Sequence, residues 1–352
     1  MHTRIVGATA RLSIVGMICG AILAGMALIA TEATAAAPEA SAGTEVQVLQ
    51  VRPDIYMLTV AGINIAVQTG PDGTIVVGGG PKKSGEAVLE KIRQIASTPI
   101  RYVINTSADA DLIGGNAPLV ASGRSIIPQP DLPFNNNQGG FTDARVGVYA
   151  AVVAHENTLT HQIEQGGFDP WELPSETFGR PNYQFYMNGQ AITVIHQPSA
   201  HSDGDCVVRF EGSDVVVTGA VFDMTRFPVI DTARGGTAVG ELNAVNDLLN
   251  NHVFTSTPIV RNDIGTLVIP VRGPLSNQAD VLTYRDMIAT VQKRMRHLIG
   301  EGKDLKQILA AEPTQGYDTR FGAAGEHASR EFVEALYRTM ASNKKSARRS
   351  AP

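Results

Sequence analysis

Past residue 44, short apolar runs at 46–49, Ile55–Val60 and 63–69 are each closed by turn residues. Runs of this length and alternation predict a β-meander. After the turn Gly70-Pro71-Asp72-Gly73, Thr74–Val77 reads as an apolar strand ending in Gly78-Gly79-Gly80-Pro81. The period then changes. Val88, Leu89, Ile92 and Ile95 recur at helical spacing behind Ser84, which predicts a helix to about Ala96. Ile100–Ile104 is the next strand, and a helix is expected at 116–121. Residues 125–143, rich in Pro, Asn, Gly and Gln, read as a long loop. The apolar run 150–154 leads into a helix of two turns from His155, and 171–181 reads as surface loop.

The second half shows no internal sequence repeat of the first but a similar order of elements. Residues 183–187 and 191–196 flank Asn188-Gly189 as a hairpin, and Cys206–Phe210 with 214–218 forms another. A third long loop covers 219–236, a helix 238–249, and the last strand 267–270. A long amphipathic helix is expected at 278–299, with shorter ones at 304–311 and 326–340, before a basic tail at 343–352 expected to be disordered. Meander, helices, hairpins and helices in that order suggest two similar halves of an α/β (α+β) protein.

Composition narrows the class. The 352 residues are 18% charged and 43% hydrophobic, with 35 Gly and 19 Pro, as in a loop-rich globular chain. Net charge is -5 and no basic stripe interleaves with aromatics, which argues against nucleic acid as a partner. Residues 1–37 read as a signal peptide. Arg4 and Arg11 precede an uncharged apolar run, 12–30, and Ala33-Thr34-Ala35 suits cleavage. The alternative is an uncleaved membrane anchor, since the run is long enough to span a bilayer. Residues 38–44 are a small polar linker. The chain after the segment keeps only Cys206, so it forms no internal disulfide; export with one thiol points to a bacterial periplasm or exterior. Cleavage would leave no stable membrane insertion.

The candidate chemistry centres on residues 103–116, VINTSADADLIGGN. A strand stops at Asn105-Thr106, Asp109 and Asp111 follow at i and i+2, and Gly114-Gly115 precede a helix. Strand ends before helix N-termini are where α/β folds place chemistry. This stretch resembles the signature loop of the metallo-β-lactamase fold family, His-x-His-x-Asp-His. Further local matches are HQPSAHSDGDCVV at 196–208, GAVFDMTRFPVID at 219–231 and LVIPVRGPLSNQADVLTYRDM at 267–287. The resemblance covers roughly 46–340. It implies a four-layer αββα sandwich over 45–300, with additional C-terminal helices at 301–342.

It also implies where two zinc ions would sit. The first family site falls on Ser107, Asp109 and His201, the second on Asp111, Leu112 and Arg272, and the bridging carboxylate on Ala220. Of these seven positions, Asp111 and His201 keep the family's residue and Asp109 can replace a ligand. The family's buttressing aspartate falls on Gly78. Leu112 binds no metal, and Arg272 stays protonated with no free lone pair. A guanidinium beside Asp109 and Asp111 would instead neutralise them, so Arg272 is expected to pair with one of the two as an internal cation.

Each residue has a second reading. Asp109 and Asp111 could cap backbone N–H groups ahead of the helix. His201 could be bonded to a neighbour, with no ligand role. His155, His196, Asp203 and Asp205 read as loop supports, and Cys206 as a small buried group. Arg226 and Asp231 could line the pocket mouth or form a structural salt bridge. Two functions therefore compete. One is a non-catalytic member of the fold whose pocket (Ser107, Leu112, Ala220, Arg272) binds a small molecule or a partner, such as a homologous subunit, with no cofactor. The other is a hydrolase of ester, lactone or amide bonds, with one weakly bound zinc, manganese or iron on Asp109, Asp111 and His201. Metal-free Asp/His acid–base hydrolysis is a third and weaker idea.

Overall fold

The computed structural model describes residues 45–126, 148–254, 265–322 and 326–349. The expected targeting segment, all of the linker and most of the 125–143 loop lie outside them.

The meander forms as its pattern requires. Strands β1 (Gln47–Arg52), β2 (Ile55–Val60), β3 (Ile63–Gln68) and β4 (Thr74–Val77) pair antiparallel in sequence order. Crossovers then bring in three parallel strands, β5 (Ile100–Ile104), β6 (Ala151–His155) and β7 (Glu176–Phe178), to complete a seven-stranded sheet. β7 lies within the stretch read as surface loop: three residues are too few for alternation to show, and Phe178 is buried by pairing beside β6. The second sheet holds five strands in the order β12-β11-β10-β9-β8. β8 (Asn182–Met187) and β9 (Gln190–His196) form the hairpin around Asn188-Gly189. β10 (Cys206–Phe210) and β11 (Val215–Val217) form the next, and β12 (Leu267–Ile269) adds parallel to β11.

Alternation along the strands sorts the core into layers. Ile75, Val77, Tyr102, Ile104, Ala151 and Val153 point inward to meet Cys206, Val208, Phe210, Val215, Val217 and Ile269 of the other sheet. Their neighbours Val76, Val103 and Val152 point outward, against α1 (Gly85–Ile95) and α3 (Asn116–Ser122). On the far side Val207, Val216 and Val268 pack under α5 (Ala238–Asp247) and α6 (Gln278–Gly300). The order helices, sheet, sheet, helices is an αββα sandwich. Strands covered on both faces read as continuous apolar runs, as Thr74–Val77 does.

Helix boundaries differ where local signals compete. A one-turn helix, α2 (Ala110–Ile113), starts before Gly114-Gly115, so Asp109 is its N-cap and Asp111 lies in its first turn. Ser84 stands at the N-cap of α1 without a side-chain cap bond. The helix opened by His155 is α4 (Glu156–Gln165), longer than expected. After α7 (Leu305–Ala310) and α8 (Asp318–Phe321), the final helix α9 (Glu326–Arg349) continues through the basic run expected to be disordered. Charged residues at i,i+4 spacing, such as Arg330 and Glu334 at 2.9 Å, suit an exposed helix face. Its other face adds Phe332, Val333, Ala335 and Leu336 to the outer core.

Candidate functional site

Five segments meet at one edge of the sandwich. The first runs from β5 through Asn105 and Ser107 into α2. It is braced from β4, where Gly79 N and Gly80 N donate to Leu112 O at 2.8 and 3.0 Å and Gly115 N donates to Gly80 O at 2.8 Å. A Cβ on Gly115 would stand 2.2 Å from Gly79 O, so this approach of two backbones requires glycine. Within the loop Asn116 donates to the buried Asn105 at 2.7 Å. Cys206 N donates to Thr106 O at 2.8 Å, which ties in the second segment.

That second segment, 199–205, carries His201. Asp205 holds it by accepting from Ser202 N at 2.5 Å and Ser202 Oγ at 2.9 Å. Full burial pushes the Asp205 carboxyl up to about 6, against the opposing pull of His201 and the Ser202 bonds. The third segment, 219–236, is knotted to it: Asp231 N donates to His201 O at 2.7 Å, and His201 Nδ1 donates to Val229 O at 2.8 Å. The fourth, 270–274, is held by Asn64, whose amide donates to Pro270 O at 3.0 Å and Gly273 O at 2.8 Å. The fifth is α9, whose Phe332 and Ala335 help line the same cavity.

Two ion-pair groups result. In the first, Asp109 presents one oxygen to Arg234 Nη2 and the other to His201 Nε2 at 2.9 Å. The His201 contact is an ion pair rather than an aligned hydrogen bond. Arg234 also donates through Nε to Asp231 at 2.7 Å. Burial alone would raise the Asp109 carboxyl, but His201 and Arg234 outweigh it and hold Asp109 well below the usual carboxylate range. Burial alone would likewise depress His201; Asp109 reverses this and lifts it to about 10. In the second group Arg272 donates to Asp111 through Nη2 and to Asp223 through Nη1, the latter at 3.1 Å. Asp223 also accepts from Arg226 Nε at 3.0 Å.

The expected positions therefore converge in part. Asp109, Leu112, His201, Ala220 and Arg272 all line one cavity of about 830 Å³. Ser107 is buried and uses its hydroxyl to accept from Asp109 N at 3.1 Å, a local cap. Asp111 is tied to Arg272 and apart from the Asp109–His201 pair in its contacts. Leu112 packs with Ile63, Ile113 and Val271. Arg226 pairs with Asp223 and Asp231 with Arg234. His155 accepts from Asn157 N at 3.2 Å and stacks on His196 at 3.7 Å between ring centroids, while His196 bonds Asp203 O at 2.7 Å. Burial, then the neighbouring His196, lowers His155 to about 4. Cys206 is a free thiol buried between the sheets, its pKa pushed up by that burial.

Four partners escaped the sequence reading: Arg234, Asp223, Glu241 and Tyr284. Arg234 and Asp223 lie within or just after the 219–231 match, but nothing in their spacing says which carboxylate or guanidinium they meet. Glu241 and Tyr284 sit at helical core positions of α5 and α6, where a polar residue was the available signal. Burial pushes the Glu241 carboxyl well up, with further push from Asp205.

These donors do not fit a pair of divalent ions. One position is an arginine, one a leucine packed in the core and one an alanine, and both aspartates already hold guanidiniums. Among the described residues no group of three or more His, Cys, Asp or Glu side chains is placed to hold a metal ion. In the same residues no helix is long and apolar enough to cross a membrane.

No protein-family model matches the chain, and no curated protein matches it in sequence. Solved structures do. The inverting sec-alkylsulfatase Pisa1 from Pseudomonas sp. superposes with a TM-score of 0.61 at 14% identity, over 87% of this chain and 52% of its own. The present chain thus spans about half the length of that enzyme. A metallo-β-lactamase from Pontibacter korlensis matches with a TM-score of 0.50 at 16% identity, over 70% of this chain and 99% of its own. The DIM-1 metallo-β-lactamase exposed to ceftazidime matches with a TM-score of 0.50 at 15% identity, over 70% and 98%.

Proposed function

Because the chain has the metallo-β-lactamase fold, a hydrolase-type fold, without the donor set of its metal centre, we propose that it is a non-catalytic binding protein. One observation carries this reading: each aspartate of the metal loop ends on its own guanidinium, Asp109 on Arg234 and Asp111 on Arg272. A fixed cation at each position supplies the charge balance that a dication would otherwise provide. It offers no vacant coordination position and no bound water to ionise, which is what metal-assisted hydrolysis needs. The cavity around these pairs remains, at about 830 Å³, and suits a small organic ligand. Export follows as part of the proposal from the basic, apolar and small-residue order of 1–37.

Elemental analysis of protein purified from zinc-supplemented cells tests the reading. Divalent metal far below one per chain is expected, with no chelator-sensitive turnover of ester, lactone, β-lactam or alkyl sulfate substrates. One or two tightly held divalent ions per chain would overturn it. So would turnover that disappears in both Asp109→Ala and His201→Ala.

A further inference from the structure

Two buried hydrogen-bond donors in the cavity wall lack an acceptor. Asp223 fills both oxygens: Oδ1 accepts from Thr225 N and Oγ1 at 2.8 and 2.7 Å, and Oδ2 from Arg226 and Arg272. Asp231 accepts at Oδ1 from Ala233 N and Arg234 N, and at Oδ2 from Arg234 Nε. Asp109 is engaged at both oxygens as described. Two buried donor groups in the cavity wall are left over, and a part-exposed arginine stands in the same wall. Arg234 Nη1 is buried and has no partner. Arg226, whose side chain is 31% exposed, is bonded through Nε to Asp223 and lines the same cavity. Tyr284, only 1% exposed, has a buried hydroxyl whose proton has no acceptor.

Buried donors without acceptors cost about 1–3 kcal/mol each, so the two in this wall are costly unless a bound acceptor joins them. Of the two glutamates in the wall, Glu334 pairs with Arg330 and Arg338, and Glu331 is exposed on α9. Asp109, Asp111, Asp223 and Asp231 are each already joined to an arginine. The wall also holds Leu112, Val271 and the stacked rings of Phe227 and Phe332, 5.6 Å between centroids.

We propose that the cavity takes a singly charged oxyanion on an apolar body, such as a small organic carboxylate. The head accepts from Arg226, Arg234 and the Tyr284 hydroxyl, and the body lies against Phe227 and Phe332. This rests on the non-catalytic reading, in that the arginines rather than a metal provide the positive charge. Two planar guanidiniums suit a carboxylate or similar head, since their paired N–H groups match its oxygens.

Titration calorimetry on the purified protein with octanoate, octanol and octylamine tests it. Octanoate should bind at one per chain, with the other two at least about tenfold weaker. Arg226→Gln and Tyr284→Phe should each weaken octanoate about tenfold and leave octanol unchanged, because each removes only donor groups. Tyr284→Phe keeps the ring, Arg226→Gln gives up one ion pair to Asp223 while Arg272 still holds that carboxylate, and thermal melting near that of the wild type establishes that both are folded. No octanoate binding, equal binding of octanol, or octanoate binding unchanged in both variants overturns the proposal. Octanol binding as tightly as octanoate sinks this inference and keeps the non-catalytic reading. Chelator-sensitive hydrolysis together with octanoate binding that is weakened in both variants does the reverse.

Discussion

The two ion-pair groups use the same residue types but differ in burial. Around Asp109, 19% of whose side chain is exposed, Arg234 and His201 both converge, and the backbone of 229–236 is bonded to the histidine loop. Around Asp111, 47% exposed, Arg272 converges alone, and its other partner, Asp223, is the buried one at 5%. A charge kept from water needs its partner; a charge in water barely notices it. The difference teaches that arginine at the first position is part of the fold, whereas the Arg272–Asp111 contact caps a surface.

Breaking the first group should have the largest effect. Arg234→Ala leaves Asp109 in a mostly buried site with one cation in place of two, and frees Asp231 as well. Removing one member of such a pair costs about 3–5 kcal/mol. Urea unfolding should show that loss as a lower midpoint with an unchanged slope. A loss below about 1 kcal/mol would place Arg234 among ordinary surface arginines and remove the contrast between the two groups.

The pH dependence should be the next largest and sharpens the same contrast. His201 has a folded pKa of about 10, above the ordinary value of 6.5, so its contribution is complete below about pH 6.5 and is lost as pH rises toward 10. Asp109 is depressed, so its contribution is present above its ordinary range and lost as pH falls. Asp205, raised to about 6, and Glu241, also raised, are both lost as pH rises. All three raised groups act in one direction. Stability should peak near pH 4 and fall by up to a few kcal/mol by about pH 9. Urea midpoints across that range check it. Asp109→Asn should flatten the alkaline fall by removing the anchor of His201; Asp111→Asn should leave it steep. A flat wild-type profile would mean that the buried pair carries no linkage.

How much of this was legible in the chain follows from the range of each interaction. Period-two and helical spacing are local, so the meander, the hairpin at Asn188-Gly189 and the long helix α6 could be read from residues a few positions apart. β7 could not, because a three-residue strand is defined by its neighbour β6. Arg272 opposite Asp111 was inferable because both stand at matching positions of a familiar loop scheme. Arg234 opposite Asp109 was not: the pair is 125 residues apart and depends on how 229–236 folds back over His201. Glu241 and Tyr284 were hidden for another reason. Their helices read correctly as amphipathic, and periodicity marks a face as buried without saying which polar group must be tolerated on it.

The smallest expected effect is the coupling between Arg272 and Asp111, and it tests the comparison from its weak end. Arg272→Ala alone will mislead, because it also strips one cation from Asp223. A double-mutant cycle with Asp111→Ala isolates the Asp111 contribution, since the Asp223 loss is common to both arms. With Asp111 nearly half exposed, water competes for both charges and salt screens them, so the coupling should be about 0–1 kcal/mol and shrink further in concentrated salt. The same cycle on Arg234 and Asp109 should give several times more and keep most of it in salt. If the two couplings came out equal, burial would not be what separates the groups, and the two arginines would have to be treated as one site.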